Sequence, residues 1–428
     1  MKKLLTLLLA LALLLSCAVA SAQEDWTTRE VTLTIIHEHT EENAKAVTSS
    51  RMFRKCMEEF MALHPNVHIE ETALGSTDAS QKLSVLAAGD SLPDIVYLYN
   101  GLFTSIVGEN MLADITDALD PATFRDGLST FSHDGKVYGV PIKYSTYCYM
   151  YYNEDMWKQA GYETFPATWG ELLEAAKSEY FTSNGITPVI FANMADGTWG
   201  TYLYLNPILF EVCGKDWVNS IIAGDGNAKF TDACFIDALN KLASLKPMWN
   251  VDFNAQSDQP AVAEYAKGKA AAHLSGPWVA TSLKGFEAEY PGIMEKTRVA
   301  KVPSFDGQHA SVSYAIPQGL GINSSLVGTD KYEAAVAFLQ YMGGSQYSQY
   351  MADAGEMGPV IVTASEDAVF VQMQQDSFDV LNSVENVPEL IPHLSATTAS
   401  AYKSATMSFL SGAITAEECA AEIQATME

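Results

Sequence analysis

Five segments between Val31 and Tyr99 decide the fold: VTLTIIHEH at 31–39, RMFRKCMEEFMAL at 51–63, VHIEE at 67–71, DASQKLSVLAA at 78–88 and IVYLY at 95–99. Val31–Ile36 alternates in the manner of a half-buried strand and ends at His37-Glu38-His39. Arg51–Leu63 puts Met52, Phe53, Cys56, Met57, Phe60 and Met61 on one helical face, and His64-Pro65-Asn66 breaks that helix. Val67–Glu71 reads as the next strand. Asp78 with Gln81 forms a capping-box start for a helix that Gly89 closes, and Pro93-Asp94 leads into the apolar strand Ile95–Tyr99. Strand, helix, strand, helix, strand within about 70 residues predicts an open α/β sheet.

The alternation continues outward from that unit. Thr168-Trp169-Gly170-Glu171 is a second capping box and opens a helix to about Tyr180. Pro188–Ala192 is strand-like, Ala261–Lys267 helical and Ala270–Leu274 extended. Asp330 and Glu333 begin a helix with Tyr332, Ala335, Val336, Leu339 and Met342 in phase. The end of the chain is helical with no convincing strand, and Thr415–Glu418 caps the final helix. A length of 428 residues suits two domains. No repeat or low-complexity linker separates them, so strand-like crossovers must join two lobes.

The first 22 residues carry an export signal. Lys2 and Lys3 precede the apolar run Leu4–Leu15, which is too short to span a bilayer. Leu14-Leu15-Ser16-Cys17 resembles a bacterial lipobox, with Cys17 as the lipid-modified first residue. Ala20-Ser21-Ala22 instead fits ordinary signal peptidase. The formal charge of −27 repels nucleic acid and argues against a strongly anionic ligand. Cys17, Cys56, Cys148, Cys213, Cys234 and Cys419 show no CxxC or metal-finger spacing. A disulfide framework is therefore not expected, and Cys213–Cys234 is the pair left open.

No G-x-S-x-G elbow, Walker loop, strand-linked GxGxxG or HExxH occurs. His37 and His39 at i, i+2 would share a strand face, as metal ligands, as contacts to an organic ligand, or as plain loop. No third metal ligand with a fixed neighbour is visible. A strand's C-terminal end in an open α/β sheet is where ligands gather. Tyr144, Tyr147, Tyr149, Tyr151 and Tyr152 crowd one segment, with Tyr147, Tyr149 and Tyr151 expected on one face. Trp199, Tyr202, Tyr204 and Trp278 are further aromatic candidates. Flat apolar rings suit the C–H face of a sugar, although core packing is the commoner role for any single tyrosine. Trp278 stands apart because the turn Ser275-Gly276-Pro277 presents it from a strand end.

Several segments together resemble the extracellular solute-binding proteins of ABC importers, in the branch that includes maltodextrin-binding protein. Leu86-Ala87-Ala88-Gly89-Asp90 followed by Pro93-Asp94-Ile95-Val96 is similar to that family's LAAGD..PD segment. So are Tyr138-Gly139-Val140-Pro141 with Tyr151–Met156 and Ala160-Gly161, and Pro166-Ala167-Thr168-Trp169-Gly170-Glu171-Leu172. Lys267-Gly268-Lys269-Ala270-Ala271 leading to Gly276-Pro277-Trp278, and Gly319–Ile322 with Ala334–Met342, complete the order. The motifs cover nearly the whole mature chain and are specific for the family, not for its ligand.

The resemblance implies an α/β, two-lobed, periplasmic-binding-protein-like (Venus flytrap) fold, with a central mixed sheet in each lobe and a helical C-terminal region. It divides the chain into residues 23–142 plus 304–344 and residues 147–300 plus 346–428, with crossovers near 143–146, 301–303 and 345. A small solute, most simply a mono- or oligosaccharide, would be captured without turnover by cleft closure and passed to ABC permease subunits. No cofactor, metal or nucleic acid is implied, and the protein would be a monomer. A membrane-receptor sensor and a glycoside hydrolase are the alternatives. Expected contacts are His37, Glu38, His39, Tyr99 and Asn100 from the first lobe, Tyr144 at the crossover, and Trp199 and Trp278 from the second. Gly101 stands where maltodextrin binders place an acid, and Lys143–Thr146 lacks a matching glutamate, so maltodextrin itself is not implied. A binding protein without an outer membrane to confine it must be tethered, which favours Cys17 over Ala22 as the processing point.

Overall fold

A computed structural model describes residues 26–427, apart from residue 126, residues 195–199 and residues 316–317. The export signal, Cys17 and Trp199 lie outside the described residues. The first lobe is built on a mixed sheet of five strands, in the order Val67–Ala73, Val31–His37, Ile95–Tyr99, Gln318–Ile322 and Val140–Pro141. The first three run parallel, as βαβ crossovers require. Gln318–Ile322 then enters antiparallel between Ile95–Tyr99 and Val140–Pro141, with Gln318 opposite Tyr99. Ile95–Leu98 is wholly buried, as a central strand covered on both faces must be.

Helix Thr48–Leu63 packs Phe53, Cys56, Met57 and Phe60 onto this sheet. The helix expected from Asp78 begins earlier, at Ser76 behind Gly75, so no Asp78–Gln81 capping box forms. Gly319 permits close packing within the sheet: a Cβ there would lie 2.5 Å from the Phe131 ring and 2.8 Å from the Val140 carbonyl oxygen.

The second lobe has a separate core. Its sheet pairs Tyr149–Asn153 antiparallel with Thr297–Lys301 on one side and Ala272–Ser275 on the other. Pro188–Ala192 forms no full strand; Val189 and Ile190 make isolated parallel bridges to Trp249 and His273. The Thr168 and Thr415 capping boxes are both formed. Helix Gln372–Ser383 is held to strand Thr297–Lys301 by Asp376. Its carboxylate takes Arg298 Nε at 2.6 Å, Arg298 Nη2 at 2.9 Å and the Val299 amide at 3.1 Å.

Between the lobes lies a third small sheet, Glu385–Pro388, Ser311–Ala315 and Ser145–Tyr147. It supplies a strand in the C-terminal region where only helices are expected from sequence. ENVP at 385–388 is too short and too exposed to show a period, and it becomes a strand by pairing with Ser311–Tyr314. Val302 packs in the second core, whereas Tyr347, Met351 and Val360 pack in the first.

Cys213 and Cys234 form a disulfide with Cα atoms 5.2 Å apart. Cys213 precedes Gly214, whose φ of 80° breaks the long helical segment Gly200–Ala223, and Cys234 is the second residue of helix Ala233–Ser244. Spacing alone does not reveal this pair, because helix packing brings the two ends together. Cys56, Cys148 and Cys419 are free and buried, and burial pushes each thiol up to about 12, which leaves them unreactive. Among the described residues no helix is long and apolar enough to cross a membrane. The disulfide closes a separation of 21 residues, so C213S is expected to cost about 3 kcal/mol of stability. Denaturant melts with and without reductant check this; coincident curves would contradict the bond.

Candidate functional site

Strand Val31–His37 delivers His37-Glu38-His39 to the C-terminal edge of the first sheet, and the two histidines turn inward. His37 and His39 are 0% and 2% exposed. The His39 amide donates to His37 Nδ1 at 3.1 Å, which leaves the His37 proton on Nε2 to meet Glu71 at 2.9 Å. Arg54 holds Glu71 in turn, at 3.0 and 3.1 Å. His39 Nδ1 lies 3.0 Å from Ser50 Oγ, Nε2 lies 2.9 Å from the Tyr97 hydroxyl, and the ring stacks on Phe53 with centroids 4.1 Å apart. Burial lowers the pKa of both imidazoles. All four ring nitrogens are engaged, so both histidines are internal supports and not the ligand contacts expected from sequence. Among the described residues no group of three His, Cys, Asp or Glu side chains could hold a metal ion.

Glu38, between them, turns the other way and gathers the rim. Its Oε2 accepts from the Tyr99 hydroxyl at 2.9 Å and Ser76 Oγ at 2.6 Å, and its Oε1 accepts from Gln318 Nε2 at 3.1 Å. Burial, followed by the Glu38 charge, pushes the Tyr99 phenol far up and keeps it a donor. Gln318 Oε1 is buried and, among the described residues, has no hydrogen-bond partner. Asn100 opens helix Asn100–Ile106 immediately after Tyr99. Ser76 and Gln318 carry no sequence signal of their own; three different elements bring them to Glu38.

At the crossover Tyr144 stacks on Tyr314, centroids 5.4 Å apart and 12° from parallel. The Arg125 guanidinium lies 5.6 Å from the Tyr144 ring centre, and its Nε donates to the Gly358 carbonyl at 3.0 Å. Tyr147, Tyr149 and Tyr151 do not share a face. Cys148 takes φ 75° between two strands that belong to different sheets, and Tyr149 and Tyr151 are buried in core. Tyr147 remains at the crossover, its hydroxyl donating to Glu389 Oε2 at 2.6 Å.

Trp278 belongs to the second lobe. It follows strand Ala272–Ser275 and opens helix Trp278–Phe286, part-exposed. Its indole Nε1 donates to Asp258 Oδ2 at 3.2 Å, while Asp258 Oδ1 lies 3.3 Å from His273 Nε2 and 3.4 Å from Ser275 Oγ. The ring folds back over Gly276, where a Cβ would sit 2.0 Å from Trp278 Cζ3. Tyr147 packs beside it with centroids 6.1 Å apart. Tyr202 and Tyr204 belong to the second core. The turn Ile391–His393 of the second lobe touches helix Asn100–Ile106 of the first, so the lobes meet beyond these residues. Two surface depressions, one near Asn250 and Lys269 and one near Trp26 and Tyr332, contain none of them.

Two α/β lobes with separate cores, joined by crossing strands, define a two-lobed protein of the binding-protein type. The chain belongs to the bacterial extracellular solute-binding protein family, whose match covers residues 55–376. A maltooligosaccharide ABC transporter solute-binding lipoprotein of Streptococcus pneumoniae is 23% identical over 292 residues, which is 66% of this chain and 62% of that relative. The chain therefore spans less than two thirds of the length of that relative. A solved chitin oligosaccharide binding protein superposes with a TM-score of 0.76 at 19% identity, over 93% of this chain and 98% of the other. A maltose-bound protein of T. maritima gives 0.69 at 19% identity, over 93% and 99%. At such identities the likeness establishes the fold.

Folded-state pKa values lowered at His37 and His39 mean that the unfolded chain takes up protons near pH 6.5 that the native chain refuses. Stability present above that pH is lost as pH falls through it. In H39Q this acid-side loss is expected to shrink, while stability at pH 8 falls by about 1–3 kcal/mol because Ser50 and Tyr97 lose a fitted partner. Chemical denaturation at pH 8, 7, 6 and 5 reads both effects.

Proposed function

We propose that this protein captures a sugar outside the cytoplasmic membrane and delivers it, without chemical turnover, to the permease subunits of an ABC importer. The observation that carries this is the fixed indole of Trp278, locked by Asp258 on one wall, with the hydrogen-bonding set of Glu38, Tyr99, Ser76 and Gln318 on the other. An aromatic platform takes the C–H face of a pyranose, and carboxylate and amide groups take its hydroxyls. The names of the relatives point to the same chemistry: maltooligosaccharide, chitin oligosaccharide, maltose.

Closure follows from sharing the ligand between walls, since a solute stabilises the closed state only through contacts it makes better there. We place crossovers at 143–147, at the end of strand Ser311–Ala315, and between Val360 and Gln372. The contact set is Glu38, Tyr99, Asn100, Tyr144 and Trp278, with Trp199 retained from its sequence context. Lipid attachment at Cys17 would tether the protein, acting as a monomer, at the outer face of the membrane near its permease. No observation favours the sensor or hydrolase readings.

Thermal melts with maltotriose, raffinose, chitobiose and galactose test the reading, because a ligand of the native state alone raises the melting temperature. At least one of these sugars is expected to do so, and W278A should abolish that rise while the apo variant still melts cooperatively. A rise with metal ions alone would overturn the sugar reading. Mass spectrometry of the exported protein should find a diacylglyceryl adduct on Cys17; a chain starting at Gln23 would refute the tether.

A further inference from the structure

Glu389 carries no motif, yet the fold invests several buried groups in its position. Its own amide donates to the Tyr314 carbonyl at 2.8 Å, on the crossover strand. Asn206, 3% exposed, holds the residues on either side. The Asn206 Nδ2 donates to the Pro388 carbonyl at 3.1 Å, and its Oδ1 accepts from the Leu390 amide at 3.3 Å. The same Nδ2 donates to Ser313 Oγ at 2.8 Å, which also receives Cys148 Sγ at 3.2 Å. Both crossing strands are thereby tied to the backbone that presents one carboxyl.

That carboxyl is one side chain, Tyr147, away from Trp278. Tyr147 donates to its Oε2 at 2.6 Å and packs against Trp278, and the next turn, Ile391–His393, touches helix Asn100–Ile106 of the other lobe. The bond from Tyr147 orients the group and occupies only part of the accepting capacity of a carboxylate. An ionised carboxylate accepts hydroxyl donors more strongly than a neutral acceptor does, and its paired oxygens suit adjacent hydroxyls of one ring.

We infer that Glu389 is a specificity-determining residue of the cleft: it accepts hydroxyl donors from a neutral sugar ring lying on Trp278, and Asn206 positions it. The assignment rests on the capture reading above and narrows it to neutral, hydroxyl-rich sugars over acidic ones. Burial pushes the Glu389 carboxyl up to about 7, with Tyr147 and Lys403 opposing; Cys148 and Tyr402 also face it. Sugar binding that requires the ionised form therefore strengthens as pH rises through 7. From pH 6 to pH 8 the ionised fraction, and with it the affinity, grows about tenfold.

Isothermal titration of the full mature chain with maltotriose, raffinose, chitobiose, xylotriose and digalacturonate tests this. The tightest neutral sugar is expected to bind about tenfold more tightly at pH 8 than at pH 6. E389Q should lose about tenfold at pH 8 and show a flat pH profile. N206A should weaken binding and displace the midpoint of the profile, which a purely structural loss would leave in place. If E389Q does not fold, the parent profile decides. E389Q binding within twofold of the parent, a flat parent profile, or tighter binding of digalacturonate would overturn the assignment and leave the capture reading standing. Failure of every sugar to bind the parent would remove both.

Discussion

The structure depends on one long-range constraint: strand Gln318–Ile322 must pair antiparallel with Ile95–Tyr99 inside a sheet whose other strands come from the first 141 residues. Everything between, which is most of the second lobe, folds as an excursion whose two ends return to this sheet. Closing so long an excursion costs little more entropy than a shorter one, because the penalty grows only logarithmically with length. The pairing repays that cost with ladder hydrogen bonds and a wholly buried strand that brings Leu320 and Ile322 into the core. It also sets Gln318 opposite Tyr99, so the constraint that completes the lobe also assembles the rim around Glu38.

The crossing region is held by paired strands and enclosed polar groups. Ser145–Tyr147 and Ser311–Ala315 pair with each other before parting to different sheets. The redirection after Tyr147 is taken up by Cys148 at φ 75°, a left-handed conformation that a side chain adopts only under surrounding pressure. Buried polar groups supply that pressure: Cys148, Ser313 and Asn206 form one chain of hydrogen bonds. A network so enclosed permits few alternative arrangements, because each break leaves an unpaired group in a low dielectric.

Much of the fold is legible along the chain because it is local. The βαβ unit from Val31 to Tyr99, the Thr168 and Thr415 capping boxes and the Gly276-Pro277-Trp278 turn each depend on side chains within a few residues of one another. His37-Glu38-His39 shows the limit of that reading. Strand alternation correctly separates Glu38 from its neighbours, but periodicity does not say which face meets the core. Helix Thr48–Leu63 decides it: Phe53 and Ser50 close over His39, and Arg54 reaches Glu71 beside His37.

The sequence by itself therefore determined the class of fold, the family and the strand-end turn that carries Trp278, since each is written in short-range spacing. Tertiary structure alone decided the rest. It turned two histidines from candidate ligands into buried supports, paired Cys213 with Cys234, made a strand of Glu385–Pro388, brought Ser76 and Gln318 to Glu38 and set Asn206 against the backbone on either side of Glu389. These outcomes are hydrogen bonds and burials between segments tens to hundreds of residues apart. Their free energy depends on which groups lose water together, and no local pattern encodes that.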